Sequence, residues 1–168
     1  MKIIASIPIQ DVQRHELNLK ASVTIGSYGM DLVSPLDEFN SYRIMLTKAD
    51  CDRLFLLNCG FVEYTHGRTG KVRDIDRDRL SSDSSARVNS FFGPPSQSEK
   101  TQIDLRSSPH LAIVLVCADA ACGPIVITDG NHRAIAQYLI YGGLSDIHAY
   151  MCVHPKINRW PYVPALGH

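Results

Sequence analysis

Within five residues the chain places a carboxylate, a glycine, a carboxamide, an imidazole and a guanidinium: Asp129-Gly130-Asn131-His132-Arg133. The apolar run before this pentad (residues 124–128) reads as a strand. The spacing of Ala134, Ile135, Tyr138 and Leu139 after it reads as a helix. A strand running through Asp-Gly into a helix gathers the unpaired N–H groups of the first helical turn at one point, and the helix dipole adds positive potential there. Gly130 lets the backbone turn sharply and a ligand approach closely. Arg133, in the first turn, can send a planar fork of donors to a phosphate or carboxylate. His132 is a donor or proton carrier. Asp129 can cap the helix, hold a metal or orient Arg133, and Asn131 adds amide donors. The set favours an anion, above all phosphate. The same residues also allow a plain reading, in which Asp129 is an N-cap, Gly130 a turn residue and Arg133 a surface charge.

The elements that must position this turn follow from periodicity. Residues 2–9 read as a first strand, and 17–25 as a second in which Leu17, Leu19, Ala21, Val23 and Ile25 alternate with polar partners. Residues 41–46 read as a short strand. Thr47 is a helix N-cap with Asp50 in the capping-box position. The helix it starts is expected to carry Cys51, Leu54, Phe55 and Leu57 inward and to end near Asn58-Cys59-Gly60. Residues 111–117 are apolar and rich in β-branched side chains, as in a strand buried on both faces. A turn over 118–123 leads to the strand before the pentad, which opens with Pro124. Gly142-Gly143 ends the helix, and residues 147–153 alternate as a closing strand with Ile147, Ala149, Met151 and Val153 on one face and His148 on the other, outward face.

Residues 65–109 differ. Arg68, Lys71, Arg73, Arg77, Arg79 and Arg87 sit among Asp74, Asp76, Asp78 and Asp83, and apolar residues are sparse. This reads as a solvated insertion, with a mobile arm that touches a partner as the sharper alternative. Overall, 17 basic and 17 acidic side chains cancel, so no global field draws the chain to nucleic acid. Five cysteines without CxxC spacing suggest free thiols rather than a disulfide framework or a zinc site, and His66, His154 and His168 lack metal-ligand spacing. No apolar run is long enough to span a bilayer, and no signal-peptide pattern opens the chain. The expected setting is the cytoplasm, without membrane contact.

With Gly130, Arg133 and Ala136 in a Gly-x-x-Arg-x-x-Ala turn, and the flanking strands at 125–127 and 147–150, the segment 108–153 resembles the core of the ParB/sulfiredoxin-like superfamily. The resemblance implies one α/β (α+β) domain over residues 1–168, a small mixed sheet with flanking helices. It also implies nucleotide phosphate binding at Gly130, Asn131, His132 and Arg133, since members use ATP, ADP or CTP there. Two departures narrow this. Sulfiredoxins carry a catalytic cysteine where Asn131 stands, which argues against sulfinic-acid repair. Partition proteins continue into a DNA-reading module, for which too few residues follow Val153.

The expected function is therefore an ATP- or NTP-dependent hydrolase or phosphotransferase. His132 and Asp129 are its candidate catalytic residues. Mg²⁺, held by Asp129, would bridge the phosphates. His110, just before the buried strand, is a further phosphate-contact candidate. Asp31, Asp37 and Glu38 are conceivable bases. Arg43 reads as a surface residue and Tyr28 as a loop aromatic. The alternative is a plasmid or phage accessory regulator, of the fertility-inhibition kind, binding DNA or a protein through residues 68–87 and with nuclease activity conceivable.

Overall fold

In the computed structural model, residues 1–18, 35, 38–57, 61–76, 106–107 and 112–159 are described. His110, Tyr28, Asp31, Asp37, the strand expected beyond Asn18, and Arg77, Arg79 and Arg87 lie outside them.

The most apolar segment lies at the centre of the fold. Ile113–Cys117 (β4) is buried at all five positions. β4 runs antiparallel to Ile125–Asp129 (β5) and parallel to His148–Val153 (β6). Outside β6 come Asn40–Met45 (β2) and then Lys2–Ile7 (β1), both antiparallel to their neighbours. Outside β5 comes Leu54–Leu56 (β3), parallel to it. The result is a six-stranded mixed sheet in the order β1-β2-β6-β4-β5-β3, in one compact α/β fold.

Helices cover both faces, which is why β4 and β5 show no polar alternation. One face packs Ile44, Leu54, Ile113, Leu115, Ile125 and Ile127 against Ala134 and Ile135 of Asn131–Tyr141 (α3). The helix ends at Gly142, whose φ of 75° suits glycine and whose N–H bonds Tyr138 O at 2.8 Å. The other face packs Val114, Val116 and Val126 against Val12 of Ile9–Asn18 (α1) and against Ile157 of the 3₁₀ segment Pro155–Arg159.

Three expectations need correction. The first strand ends at Ile7, and α1 takes the residues from Ile9 to Asn18, including the start of the expected second strand. Ile9, Val12 and His15 recur every third residue and are all buried, so one helical face was present in the sequence. Second, the helix capped by Thr47 is only Lys48–Cys51 (α2). Leu54, Phe55 and Leu56 form β3, because a consecutive apolar run can be buried on both faces of a parallel pair. Third, the first part of the polar insertion is not a solvated excursion. Residues 61–76 make three 3₁₀ turns and lie on the β3 edge. Leu56 N–H donates to Gly70 O at 2.8 Å, and Val72 and Ile75 are buried in the core. Covering an edge strand removes its unpaired groups from solvent.

A capping box on Thr47 does form. The Asp50 carboxylate accepts from the Thr47 N–H at 2.8 Å and its hydroxyl at 2.7 Å. It also meets the Met1 ammonium at 2.6 Å and Arg53 at 3.2 Å, with Asp50 only 3% exposed.

Candidate functional site

The pentad occupies the junction of β5 and α3, with Gly130 as the residue before the first helical turn. Gly130 has φ 84° and ψ 23°, the left-handed region. A Cβ here would stand 2.7 Å from Ile113 Cγ2 and 2.8 Å from a guanidinium nitrogen of Arg133. Both conformation and space therefore require glycine. The second contact shows where Arg133 goes: its guanidinium lies against the Gly130 backbone and donates to Asp129 Oδ2 at 2.5 Å. Both side chains of this pair are mostly buried, at 19% and 14% exposed. A fixed positive group thus sits on the turn where the N–H groups of α3 begin.

Asn131 is used differently from the expectation that it adds amide donors to a ligand. Its Oδ1 accepts from Leu57 N–H at 3.0 Å and its Nδ2 donates to Ile127 O at 3.1 Å. The carboxamide ties the end of β3 to β5 and is committed within the fold; the backbone N–H is what Asn131 has to offer a ligand. His132 is partly buried, and burial holds its imidazole below the ordinary value of 6.5. The neutral ring is therefore the dominant form at pH 7. Among the described residues no cluster of three His, Cys, Asp or Glu side chains converges on a common point. A magnesium ion at the turn would find one carboxylate, already paired with a guanidinium. That donor set fits a metal poorly and an anion well.

Other expected residues are elsewhere. Glu38 faces His154 at 3.6 Å and Lys156 at 4.0 Å. It lies beyond Val153, at the end of β6 opposite the turn, so it is no base for chemistry at Arg133. His148, expected on the surface, is partly buried beside Met45. Lys71 lies over the Phe55 ring, and Arg73 pairs with Asp52 and Asp74. Of the basic residues expected to reach a partner, these two serve the β3 edge.

No cysteine offers a ready nucleophile among those described. Cys51, Cys117, Cys122 and Cys152 are in no disulfide. Burial pushes Cys117 up to about 12 and raises Cys51. Cys122, which donates to Asp119 at 3.1 Å, is raised by that contact.

Sequence reasoning passed over a second constellation. A cavity of about 380 Å³ opens between α1 and the β1–β2–β6 side of the sheet, lined by Ile7, Asp11, Arg14, His15, Arg43 and Tyr150. The helical recurrence of Ile9, Val12 and His15 could have revealed its wall. Its floor, Arg43 opposite Tyr150, depends on a pairing between distant strands that no local pattern announces. One row of the sheet links cavity and turn: Arg43 pairs with Tyr150, Tyr150 with Val114, and Val114 with Asp129. Three strand spacings, about 14 Å, separate Arg43 from Asp129 along it.

No protein-family model matches the chain, and no curated protein or solved structure matches it at a significant level.

Proposed function

We propose that this protein binds a nucleotide through its phosphates at the Gly130–Arg133 turn and acts on it as a hydrolase or phosphotransferase. The observation that carries the reading is the Arg133 guanidinium, held on the Gly130 backbone by Asp129 at the start of an eleven-residue helix. An arriving phosphate would take donors from Arg133 and from the first N–H groups of α3. Asp129 would keep the guanidinium on the turn between binding events. His132, neutral at working pH, would accept the proton of an attacking water or hydroxyl group. The reading takes the chain as a ParB/sulfiredoxin-like domain. Its support is the order β4, β5, turn, α3, β6. Magnesium, for which the turn has a poor donor set of its own, would arrive bound to the phosphates.

The test is a calorimetric titration of ATP, ADP, CTP and GTP, followed by phosphate release. Arg133→Ala should weaken nucleotide binding by about 1.5–3 kcal/mol, the scale of a hydrogen bond to a charged group. His132→Ala should leave affinity nearly unchanged and lower turnover by roughly 10²–10⁴. Unaltered affinity in a folded Arg133→Ala protein would remove the turn from the binding site. Wild-type turnover in His132→Ala would remove the imidazole from the chemistry.

A further inference from the structure

The cavity under α1 is a second place where charge and shape converge, separate from the turn. Its floor is the β2–β6 ladder, where Arg43 and Tyr150 are direct cross-strand neighbours, so their side chains rise on the same face. Its wall is α1. There His15 is fixed by a hydrogen bond from Nε2 to Ala112 O at 2.8 Å. Its ring lies 4.5 Å from that of Tyr150, tilted by 47°. At the rim, Arg14 donates to Asp11 at 2.9 Å, and both side chains are substantially exposed. That pair is neutral as it stands and can open at little cost, because exposed ion pairs are worth little.

What remains is the positive charge of Arg43, an exposed side chain on the cavity lining. Among the described residues no carboxylate pairs with Arg43, and the Tyr150 hydroxyl has no hydrogen-bond partner. A guanidinium fork and a phenolic O–H therefore face the same space, with a second guanidinium at the edge. This donor set selects an anion with several acceptor oxygens. The volume, about 380 Å³, lies within the range of small-molecule sites, roughly 300–1,000 Å³. Inorganic phosphate would fill only a fraction of it. The Tyr150 ring, backed by the tilted His15 ring, offers an aromatic surface against which a planar ring can rest.

We propose that the cavity bounded by α1, β2 and β6 is a binding site for a small phosphorylated molecule with a planar ring, of mononucleotide size. Arg43 and the Tyr150 hydroxyl hold the phosphate, Arg14 closes on it from the rim, and the ring lies against Tyr150 and His15. The site does not depend on ligand binding at the Gly130–Arg133 turn.

The test uses the full chain carrying Arg133→Ala, so that binding at the turn does not mask the cavity. AMP, adenosine and inorganic phosphate are titrated by calorimetry. AMP should bind more tightly than either fragment. Adding Arg43→Gln should weaken AMP roughly tenfold or more, the loss of a hydrogen bond to a charged group. Tyr150→Phe, which keeps the ring, should weaken AMP by roughly threefold to tenfold and leave adenosine unchanged. Thermal melting establishes that each variant is folded; should Arg43→Gln fail to fold, Tyr150→Phe decides. AMP binding no better than adenosine, or insensitive to both substitutions, overturns the proposal. So does a single-stranded oligonucleotide that binds more tightly than AMP and is lost with Arg43→Gln, because the phosphate would then belong to a polymer backbone.

Discussion

Asp50–Arg53 and Asp129–Arg133 are both mostly buried pairs beside helix starts, and their surroundings differ. Asp50 pairs with Arg53 and also receives the Met1 ammonium and two donors from Thr47. Its carboxylate is enclosed by groups that belong to the fold, and nothing of it faces outward. Asp129 pairs with Arg133 through one oxygen, on a turn whose glycine brings backbone and guanidinium together. Burial pushes the Asp50 carboxyl up, but the Met1 ammonium and the Thr47 donors outweigh it and hold the group below the ordinary 3.8. A carboxylate surrounded this way is a structural clamp. A guanidinium with a single carboxylate partner keeps donors to give to a ligand.

The largest effect should come from the clamp. Asp50→Ala strips a buried ammonium and a partly buried arginine of their counter-charge and should cost about 3 kcal/mol or more in urea unfolding. Asp50→Asn should also change the acid limb. The native carboxyl lies below its unfolded value, so its contribution is complete above about pH 4 and is lost as pH falls through the lower native value. The variant should show a shallower loss of stability over that range. A cost below about 1 kcal/mol would mean that Asp50 is no more a clamp than Asp129.

Next comes Gly130→Ala, which meets a left-handed backbone and Ile113 together. About 2–4 kcal/mol is expected, combining backbone strain with overpacking. The new methyl also occupies the place of the Arg133 guanidinium, so nucleotide binding should fall with stability. Binding retained at wild-type strength would separate the guanidinium's position from its role. Smallest should be the effect of Arg133→Ala on unfolding, about 1 kcal/mol, against its larger effect on ligand affinity. If the order reverses, with stability falling more than affinity, the turn is a second clamp and the contrast between the two pairs collapses.

The turn was readable because its signals are local. Asp-Gly after a β-branched run and before helical spacing fixes strand, turn and helix within twenty residues, and the structure has all three. The capping box at Thr47 was equally local, and it formed. What local reading lost was decided elsewhere in the chain. Leu54, Phe55 and Leu56 are a strand because β5 lies beside them to take a parallel partner. Asn131 looks like a ligand donor until Leu57, seventy-odd positions earlier, arrives to use its oxygen. Arg43 reads as a surface residue and is exposed, but that it lines a cavity beside Tyr150 follows only from the β2–β6 ladder and the α1 wall. His15 gave a signal that was present but weak, since a polar residue at the third position of an apolar face breaks the pattern by which a helix is recognised.

The strand order has a kinetic consequence. β4, β5, α3 and β6 are consecutive and pair among themselves, starting from a hairpin whose loop is seven residues long (118–124). β1 and β2 are made earliest but find their only central partner, β6, about a hundred residues later, so joining them closes a far longer loop. That closure costs about 2–3 kcal/mol more chain entropy than the hairpin. Loop closure therefore favours pairing within the late segment over the docking of β1 and β2. The turn is built from short-range contacts, whereas the cavity, walled by α1 and floored by the β2–β6 ladder, depends on the long-range ones.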